Sequence, residues 1–383
     1  MWLESDHMNA GAGADLRRKA WARGPECKWT TGFESKTHGL RGVNSQADII
    51  LVGKINGAVL RGQHLCFCVY LEPRRRRRIL RTNSSSRPHP CDFSNEKQFL
   101  AYKVIQRFKK TITCDPRNIT QTWSGYRPCT YRGFFFETPP GLTNTPTIAS
   151  IDFNGYRLCS PALTGFVDNL PDLALFHANS NNFSGTVPNL SNLPFLYELD
   201  VSNNHLSGNF PTNVLRLSNL TFLDIRFNRF AGSVPGFIFT LRLDYLCLNN
   251  NQFDQPLPAD IGNSPVMYLT LANNGFTGPL PPSICNASNT LLEVLFLNNH
   301  LSGCLPAEIG SLKKATVFDA GYNQLTGTIP SSFACLLKIE QLNLAVNKLY
   351  GEVPDALCRL ADVGRLLNLS LSQNYFTKIG PCC

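Results

Sequence analysis

An asparagine that returns at a nearly constant interval constrains this chain more than any other feature. Within the pattern apolar-x-apolar-x-x-Asn-x-apolar-x-Gly-x-apolar-Pro it stands at Asn181, Asn204, Asn228, Asn251, Asn274, Asn299, Asn323, Asn347 and Asn374, at intervals of 23, 24, 23, 23, 25, 24, 24 and 27 residues. Proline recurs in phase at 188, 211, 235, 258, 281, 306, 330 and 354. An earlier copy, Ile151-Asp152-Phe153, puts Tyr156 where the asparagine belongs, which makes ten positions in all. A unit of this length cannot bury its apolar side chains alone, so copies must stack into a solenoid. Each copy predicts a short strand such as Leu199-Asp200-Val201, its two apolar residues inward and Asp200 outward on the concave face. The chain must then bend, and a buried Asn side chain can bond the main-chain groups that the bend leaves unpaired. Gly-x-apolar-Pro predicts a second, non-ladder stretch on the flank, because proline has no N–H to give. Nine copies argue that these asparagines are structural, since one active site would not need them all.

The rest of the chain divides around that array. Hydrophobic residues at 43% and charged ones at 16% exclude bulk disorder. The formal charge of +9 is confined to residues 1–91, which hold 16 Lys+Arg against 7 Asp+Glu, and the remainder nets zero. Residues 1–90 therefore read as a weakly ordered basic segment, foreign to the solenoid. Its five consecutive arginines, 74–78, are read as a solvated tract in preference to a nucleic-acid patch, and no nucleic-acid partner is expected. His64, Cys66 and Cys68 lack a second ligand pair at a metal-finger spacing, and Gly11-Ala12-Gly13 lacks the strand and later glycine of a dinucleotide loop. Residues 91–147 are expected to form an N-terminal cap, and 148–383 the repeat array. Asp92 or Ser94 is expected to start a helix with Phe99, Leu100, Val104, Ile105 and Phe108 at helical spacing. Cys114, Trp123, Cys129 and the group Phe134, Phe135 and Phe136 suit the sealing of an apolar end.

Fourteen cysteines point to an oxidising compartment. Seven Asn-x-Ser/Thr acceptors, at Asn83, Asn118, Asn182, Asn189, Asn219, Asn286 and Asn368, agree with it modestly. Residues 1–23 have no continuous apolar run, so no signal peptide is assigned. The apolar stretch 49–71 is broken by Lys54, Arg61 and His64, and no membrane span is expected.

The concave face can be read by phase. Four residues before each ladder position stand Asp152, His177, Asp200, Asp224, Cys247, Thr270, Leu295, Asp319, Asn343 and Ser370, with acid toward the N-terminal half. Six before stand Ser150, Leu175, Glu198, Phe222, Tyr245, Tyr268, Glu293, Val317, Gln341 and Asn368, which brings three aromatics together in successive repeats. Aromatic anchors beside acids suit a basic peptide. The candidate site is therefore Glu198, Asp200, Phe222, Asp224, Arg226, Tyr245 and Tyr268, with the carboxylates expected to be exposed. His177 between Asp152 and Asp200 is the one candidate base, but no nucleophile accompanies it and a surface histidine is the favoured reading. Metalloprotease, phosphate-loop, nucleophile-elbow and kinase motifs do not appear, so a non-enzymatic protein without cofactor or metal is expected.

The period lies in the leucine-rich-repeat range, and the repeats resemble the plant-specific class, an α/β right-handed solenoid with a concave parallel sheet. More narrowly, residues 99–110 (FLAYKVIQRFKK), 114–120 (CDPRNIT), 170–182 (LPDLALFHANSNN) and 296–306 (FLNNHLSGCLP) resemble the N-terminal half of plant leucine-rich-repeat extensins over about residues 92–383. The resemblance implies a secreted cell-wall protein that binds a small basic, cysteine-rich signalling peptide of the rapid alkalinisation factor type. The expected partners are that peptide or another extracellular protein, with wall polysaccharide and a second copy of the chain as further candidates. A polygalacturonase-inhibitor-like protein and a fragment of a leucine-rich-repeat receptor are the alternatives. The family carries a Cys where Phe136 stands, which removes the expected partner of Cys129. It also continues into a closing cap and a Ser/Pro-rich tail where this sequence reaches Cys382-Cys383, so the C-terminal cap reads as truncated. Cys285 and Cys304, both in family-like sequence of neighbouring repeats, are expected to form a disulfide, with buried thiols as the alternative; Cys335 and Cys358 are balanced between a bridge and buried thiols.

Overall fold

The computed structural model describes residues 52–55, 58–61, 88–362 and 364–378. Gly11-Ala12-Gly13, His64, Cys66, Cys68, the arginine run, Asn83 and Cys382-Cys383 lie outside the described residues. Within the basic segment, Val52–Ile55 pairs antiparallel with Ala58–Arg61 as a hairpin, an order that sequence reading did not assign. That hairpin belongs to a compact unit separate from the one that holds the cap and the repeats. Among the described residues no helix is long and apolar enough to cross a membrane.

The cap begins with helix α1, Glu96–Lys109. Its N-cap is Asn95, whose Oδ1 accepts the Gln98 N–H at 2.9 Å, and not the Asp92 or Ser94 that sequence suggested. The buried face is Gln98, Ala101, Val104, Ile105 and Phe108, so the helical phase leaves Leu100 49% exposed. Phe108 stacks on Phe166 of the first repeat at 3.8 Å and 3°, and Trp123, Phe134 and Phe153 complete an aromatic plug. Trp123 can be fully buried because its indole N–H donates to the Arg132 carbonyl at 2.9 Å. The strand Phe134–Glu137 pairs antiparallel with Thr147–Asp152 and closes the N-terminal edge of the concave sheet. A disulfide, Cys114–Cys159, joins the cap to the first repeat across a sequence separation of 45.

From Thr147–Asp152 onward each repeat adds one parallel strand to the concave sheet, which reaches eleven strands including the cap strand. In Glu198–Asp200, Phe222–Asp224, Tyr245–Cys247 and Tyr268–Thr270 the central leucines Leu199, Leu223, Leu246 and Leu269 are 0–1% exposed, so the outer two residues of each strand form the concave surface. The residue before each ladder asparagine takes positive φ, as at Asn203 (φ 55°), Asn250 (φ 57°) and Asn298 (φ 52°). This left-handed kink turns the chain away from the sheet, and the asparagine side chain bonds what the kink exposes. Asn204 is typical: its Oδ1 accepts the Phe183 N–H of the preceding repeat, and its Nδ2 donates to Ala178 in that repeat and to Val201 and Ser202 in its own.

On the flank, the residues ahead of each proline form hydrogen-bonded parallel strands of their own, in two sheets of five. The expected non-ladder stretch is thus corrected: pairing extends to the glycine and, at Asn209, Cys304 and Glu352, one residue beyond it. The two flank sheets part between Gln252–Phe253 and Thr277–Gly278, where the sequence departs from its pattern. Gln255 replaces the glycine there, and Pro256 makes only an isolated bridge to Thr277. Beyond the flank, Pro211, Pro235, Pro281, Pro306 and Pro330 each precede a 3₁₀ turn, a place where a missing N–H costs nothing. The last of these outer turns is a true helix, α2, Asp355–Asp362.

Two stability outcomes are expected. Asn204→Leu strands the buried Phe183 N–H and takes one of two amide donors from the carbonyls of Ala178 and Val201, which keep Asn181 and Asn228, and should lower unfolding free energy by about 1–3 kcal/mol in denaturant titration; an unchanged midpoint would contradict the role given to the amide. Replacing Cys114 and Cys159 together by Ser should cost about 2–4 kcal/mol, with unreduced peptide mapping reporting the bridge in the parent chain.

Candidate functional site

The two concave columns lie in register along the sheet. Glu198, Phe222, Tyr245 and Tyr268 are successive partners in the first, and His177, Asp200, Asp224, Cys247 and Thr270 in the second. In-register neighbours on parallel strands bring side chains into contact, and the aromatics use that. Phe222 and Tyr245 have ring centroids 5.2 Å apart at 42°, and Tyr245 lies 4.7 Å from Tyr268 with planes only 4° apart. Each such pair adds about 0.5–1.5 kcal/mol beyond its buried area. Burial, and then the neighbouring Tyr268, raise the Tyr245 phenol well above its ordinary value, so the stack is uncharged at neutral pH.

The acids behave differently from the sequence expectation. Asp200 and Asp224 are each 1% exposed, which corrects the reading of them as exposed carboxylates. The reason is local. Asp200 Oδ1 accepts both the backbone N–H and the hydroxyl of Ser202, and Asp224 Oδ1 accepts the Arg226 N–H. Asp152, Asp319 and Asn343 do the same to the residue two positions on, Asn154, Gly321 and Ala345. The second column thus recruits Asp and Asn to hold the turn that follows each strand. Sequence reasoning saw the acid bias and missed this job, although its signal was present: the residue type recurs at one phase of the repeat.

Two ion pairs complete the cluster. Arg226 Nε lies 3.1 Å from Asp224 Oδ2, and His177 Nε2 lies 2.8 Å from Glu198 Oε2. Burial lowers the His177 pKa, but the Glu198 hydrogen bond and charge, with Asp200 and Asp152 behind them, outweigh it and leave it raised. His177 is therefore a paired residue with a side chain 16% exposed, and the expectation of a plain surface histidine is corrected. For Arg226 burial likewise works against the charge, and Asp224 more than restores it. Burial, with Asp224 beside it, pushes the Cys247 thiol up to about 12, so it stays protonated and is a poor nucleophile. Among the described residues no cluster of His, Cys, Asp and Glu could hold a metal ion.

The remaining sequence candidates are placed as follows. Cys285 is a buried thiol and Cys304 an exposed one, so the expected Cys285–Cys304 disulfide is not made. Cys285 sits in the outer 3₁₀ turn Pro282–Asn289 whereas Cys304 ends the flank strand His300–Cys304, two different faces of the coil. Cys335 is an exposed thiol, whereas Cys358 is buried and disulfide-bonded, which removes a bridge between those two. Of the acceptor asparagines, Asn118, Asn182, Asn189, Asn286 and Asn368 are exposed, and Asn219 is half-buried with its amide donated to the Pro194 carbonyl. The Asn181, Asn228, Asn251, Asn274, Asn299, Asn323, Asn347 and Asn374 side chains repeat the bonding of Asn204, each accepting an N–H from the preceding repeat.

The His177–Glu198 pair sets a pH dependence with a definite sign. A histidine whose folded pKa is raised stabilises the fold fully below its ordinary value of about 6.5 and loses that stabilisation as pH climbs through the folded value. The thermal midpoint should therefore fall on the alkaline side of pH 6.5, and His177→Gln should remove that part of the slope; a parent and variant with parallel pH profiles would rule the pair out as its source.

Comparison with known proteins agrees with this architecture. The Leucine Rich Repeat family model matches residues 195–217 and 266–287. Leucine-rich repeat extensin-like protein 1 of Arabidopsis thaliana is 42% identical over 111 residues, 29% of this chain and 15% of that protein. Leucine-rich repeat extensin-like protein 4 of the same plant is 44% identical over 98 residues, 25% of this chain and 19% of its own length. The chain thus spans less than a fifth of either relative. Among solved structures, the ectodomain of the Arabidopsis membrane receptor kinase GASSHO1/SCHENGEN3, in complex with CASPARIAN STRIP INTEGRITY FACTOR 2, superposes with a TM-score of 0.56 at 32% identity, covering 60% of this chain and 27% of the receptor chain. The plant peptide hormone receptor RGFR1 in complex with RGF2 gives 0.51 at 34%, covering 55% and 33%. A plant ice-binding protein gives 0.55 at 22%, covering 74% and 99%, a likeness of fold alone. The chain is a leucine-rich-repeat solenoid that resembles the plant leucine-rich repeat extensins.

Proposed function

We propose that the concave face captures a basic peptide outside the cell, in the plant wall, and that the protein acts by binding and not by catalysis. The observation that carries the reading is the stacked aromatic row Phe222, Tyr245 and Tyr268 standing next to a cluster of four carboxylates, Asp152, Glu198, Asp200 and Asp224, against Arg226 and His177. Rigid aromatics are the usual anchors of a protein interface, and a field of one sign steers a ligand of the other. The division of labour follows from burial. Phe222 and Tyr245 are half-buried and offer ring surface, whereas Asp200 and Asp224 act through their charge, since their oxygens are engaged by the turns. Two similar receptor ectodomains were solved with the ligands named above, one of them as a peptide hormone receptor, which supports a peptide ligand for this fold. By resemblance to the extensins, the partner proposed is a cysteine-rich signalling peptide of the rapid alkalinisation factor type, with a role in wall assembly or growth.

Calorimetric titration of the chain with such a peptide should show binding that weakens as salt is raised from about 0.01 to 0.15 M, where the screening length falls from about 30 to 8 Å. Tyr245→Ala should cost about 2 kcal/mol or more in affinity if the ring is the anchor. Equal affinity in parent and variant would place the ligand elsewhere. Lack of binding to any basic peptide at low salt, together with capture of a wall-degrading glycosidase, would favour the enzyme-inhibitor alternative.

A further inference from the structure

The cap carries a surface that the concave face does not use. Between residues 92 and 147 the sequence holds eight Lys and Arg against four Asp and Glu. Two of these cations are engaged: Lys97 pairs with Asp172 at 2.8 Å, and Lys109 donates to the Trp123 carbonyl at 3.0 Å. Lys103, Arg107 and Lys110 follow Leu100 by three, seven and ten residues, which sets all four along one stripe of α1 and its C-cap. Among the described residues none of these three cations is in an ion pair. Glu96, the one acid on the helix, stands at the far end of the same stripe. Cations in the last turn of a helix are favoured by its dipole, so charge alone does not make a site here.

The rings beside the stripe supply the second observation. The Phe93 ring lies 5.3 Å from Phe99, 5.0 Å from Tyr102 and 5.8 Å from Tyr126, and Tyr102 lies 6.0 Å from Tyr126. Of the four, Tyr102 packs against the buried core. Tyr126 is 41% exposed, Phe93 and Phe99 are half-buried, and Leu100 next to Phe99 is 49% exposed. Aromatics gathered at the surface beside arginine have the composition of a protein interface, not of plain solvated surface.

The arrangement of the rings selects the partner. Their planes are inclined to one another by 50° to 74°, and Lys103 Nζ covers the Phe99 face at 5.0 Å. That leaves no coplanar platform for a flat sugar ring, whereas inclined rings contact an apolar side chain from several sides. We propose that this face of the cap docks an acidic peptide segment, its apolar residue on Phe93, Tyr102, Tyr126 and Leu100 and its acids on Lys103, Arg107 and Lys110. The stripe from Leu100 to Lys110 rises about 15 Å. An extended chain covers that length in about five residues. Glu96 repels acid at the other end, so the acidic part lies toward the C-terminus of α1. Arg127, exposed and next to Tyr126 in the sequence, adds to the positive field. None of these residues lies in the concave columns, so the proposal stands apart from the basic-peptide reading.

Blocked octapeptides titrated calorimetrically into the full chain at low salt test it. The first carries Leu-Phe, two alanines and four glutamates, made in that order and in reverse. One control has serines in place of Leu-Phe, and the other has glutamines in place of the glutamates. The mixed peptide, in one of its two orders, should bind about tenfold tighter than either control. Lys103→Gln together with Arg107→Gln should remove most of that advantage and flatten the salt dependence. Tyr126→Ala should remove it while leaving the salt dependence in place. Thermal midpoints equal to the parent's establish that the variants fold. If the serine control binds as tightly as the mixed peptide, the rings take no part and the proposal is wrong. It is equally wrong if replacing Arg74, Arg75, Arg76, Arg77 and Arg78 by Gln abolishes binding that the cap variants leave intact, because the acid is then held by the basic segment. Binding of polygalacturonate that the cap variants weaken, with no binding of the mixed peptide, would make the face a polysaccharide surface and overturn the peptide assignment. Absence of binding by both probes overturns it outright.

Discussion

The turn that leaves each concave strand is the constraint on which the rest of this structure depends. A parallel strand cannot return to its own sheet edge by a tight hairpin, so every repeat must send the chain around the outside of the coil. The departure is made by a residue at positive φ, which tears one backbone segment out of the ladder in the middle of the protein. Left alone, that segment would bury unpaired donors and acceptors at a cost of about 1–3 kcal/mol each. One carboxamide serves both kinds of group, because it offers two N–H donors and an acceptor oxygen within a short side chain. Asn323 shows the economy: its amide reaches Phe296 of the preceding repeat and Ala320 and Gly321 of its own, while its oxygen takes the Leu301 N–H. Each asparagine therefore bonds two coils at once, and the bonding is kept at intervals of 25 and 27 residues, as Asn299 and Asn374 show.

The first coil has no predecessor of its own kind, and its sequence departs from the pattern accordingly. Tyr156 replaces the asparagine, and its ring packs against Phe153 with Arg132 over the face at 5.6 Å. The left-handed position before it is Gly155 (φ 66°), where a glycine avoids the cost that every later repeat bears, from Ser180 and Asn203 to Phe227, Tyr322 and Val346. The Phe153 carbonyl, which an amide at 156 would have bonded, accepts the Tyr156 N–H and the Asn181 side-chain amide. On the cap side, the Cys159 N–H donates to the Cys114 carbonyl and the Cys159 carbonyl accepts the Thr113 N–H, and the two cysteines are also joined covalently. Asp115, next in sequence, accepts the N–H groups of Ile119 and Thr120; these bonds overcome the effect of burial and hold its carboxyl below the ordinary value. The cap thus substitutes aromatic packing, a disulfide and a side-chain turn for what the ladder supplies elsewhere.

Much of this was legible because the repeat converts sequence distance into spatial position. Once the ladder phase is known, the pairs Phe222 with Tyr245 and Tyr245 with Tyr268 follow without coordinates, and so does the position of Glu198 beside Phe222. What phase cannot report is how the two surface residues of one strand share their surroundings. Glu198 and Asp200 are two residues apart on the same strand, yet one pairs across to His177 and the other folds back on Ser202. That distinction depends on side-chain length: a carboxylate on one methylene reaches its own turn, whereas a carboxylate on two reaches the neighbouring repeat. The cysteines failed for a related reason. Cys285 and Cys304 are near in sequence and in family-like stretches, but one belongs to the outer turn and the other to the flank strand, whereas Cys159 occupies the flank phase of Asn182 and met a partner from outside the repeat pattern altogether.

The same side-chain arithmetic indicates where recognition can be encoded. In the second concave column, Asp and Asn are retained at Asp152, Asp200, Asp224, Asp319 and Asn343 because each closes a turn, so that column is tied to the fold. The first column makes no such recurrent bond to its own turn. It changes freely from Ser150 and Leu175 through an acid, three aromatics and a second acid to Val317 and Gln341 while the leucines behind it stay buried. A position that varies in polarity, size and charge from coil to coil without disturbing the core is under no packing constraint from within. An external surface can then be matched one strand at a time, and a ligand lying along the solenoid would read that column at intervals of about 4.8 Å.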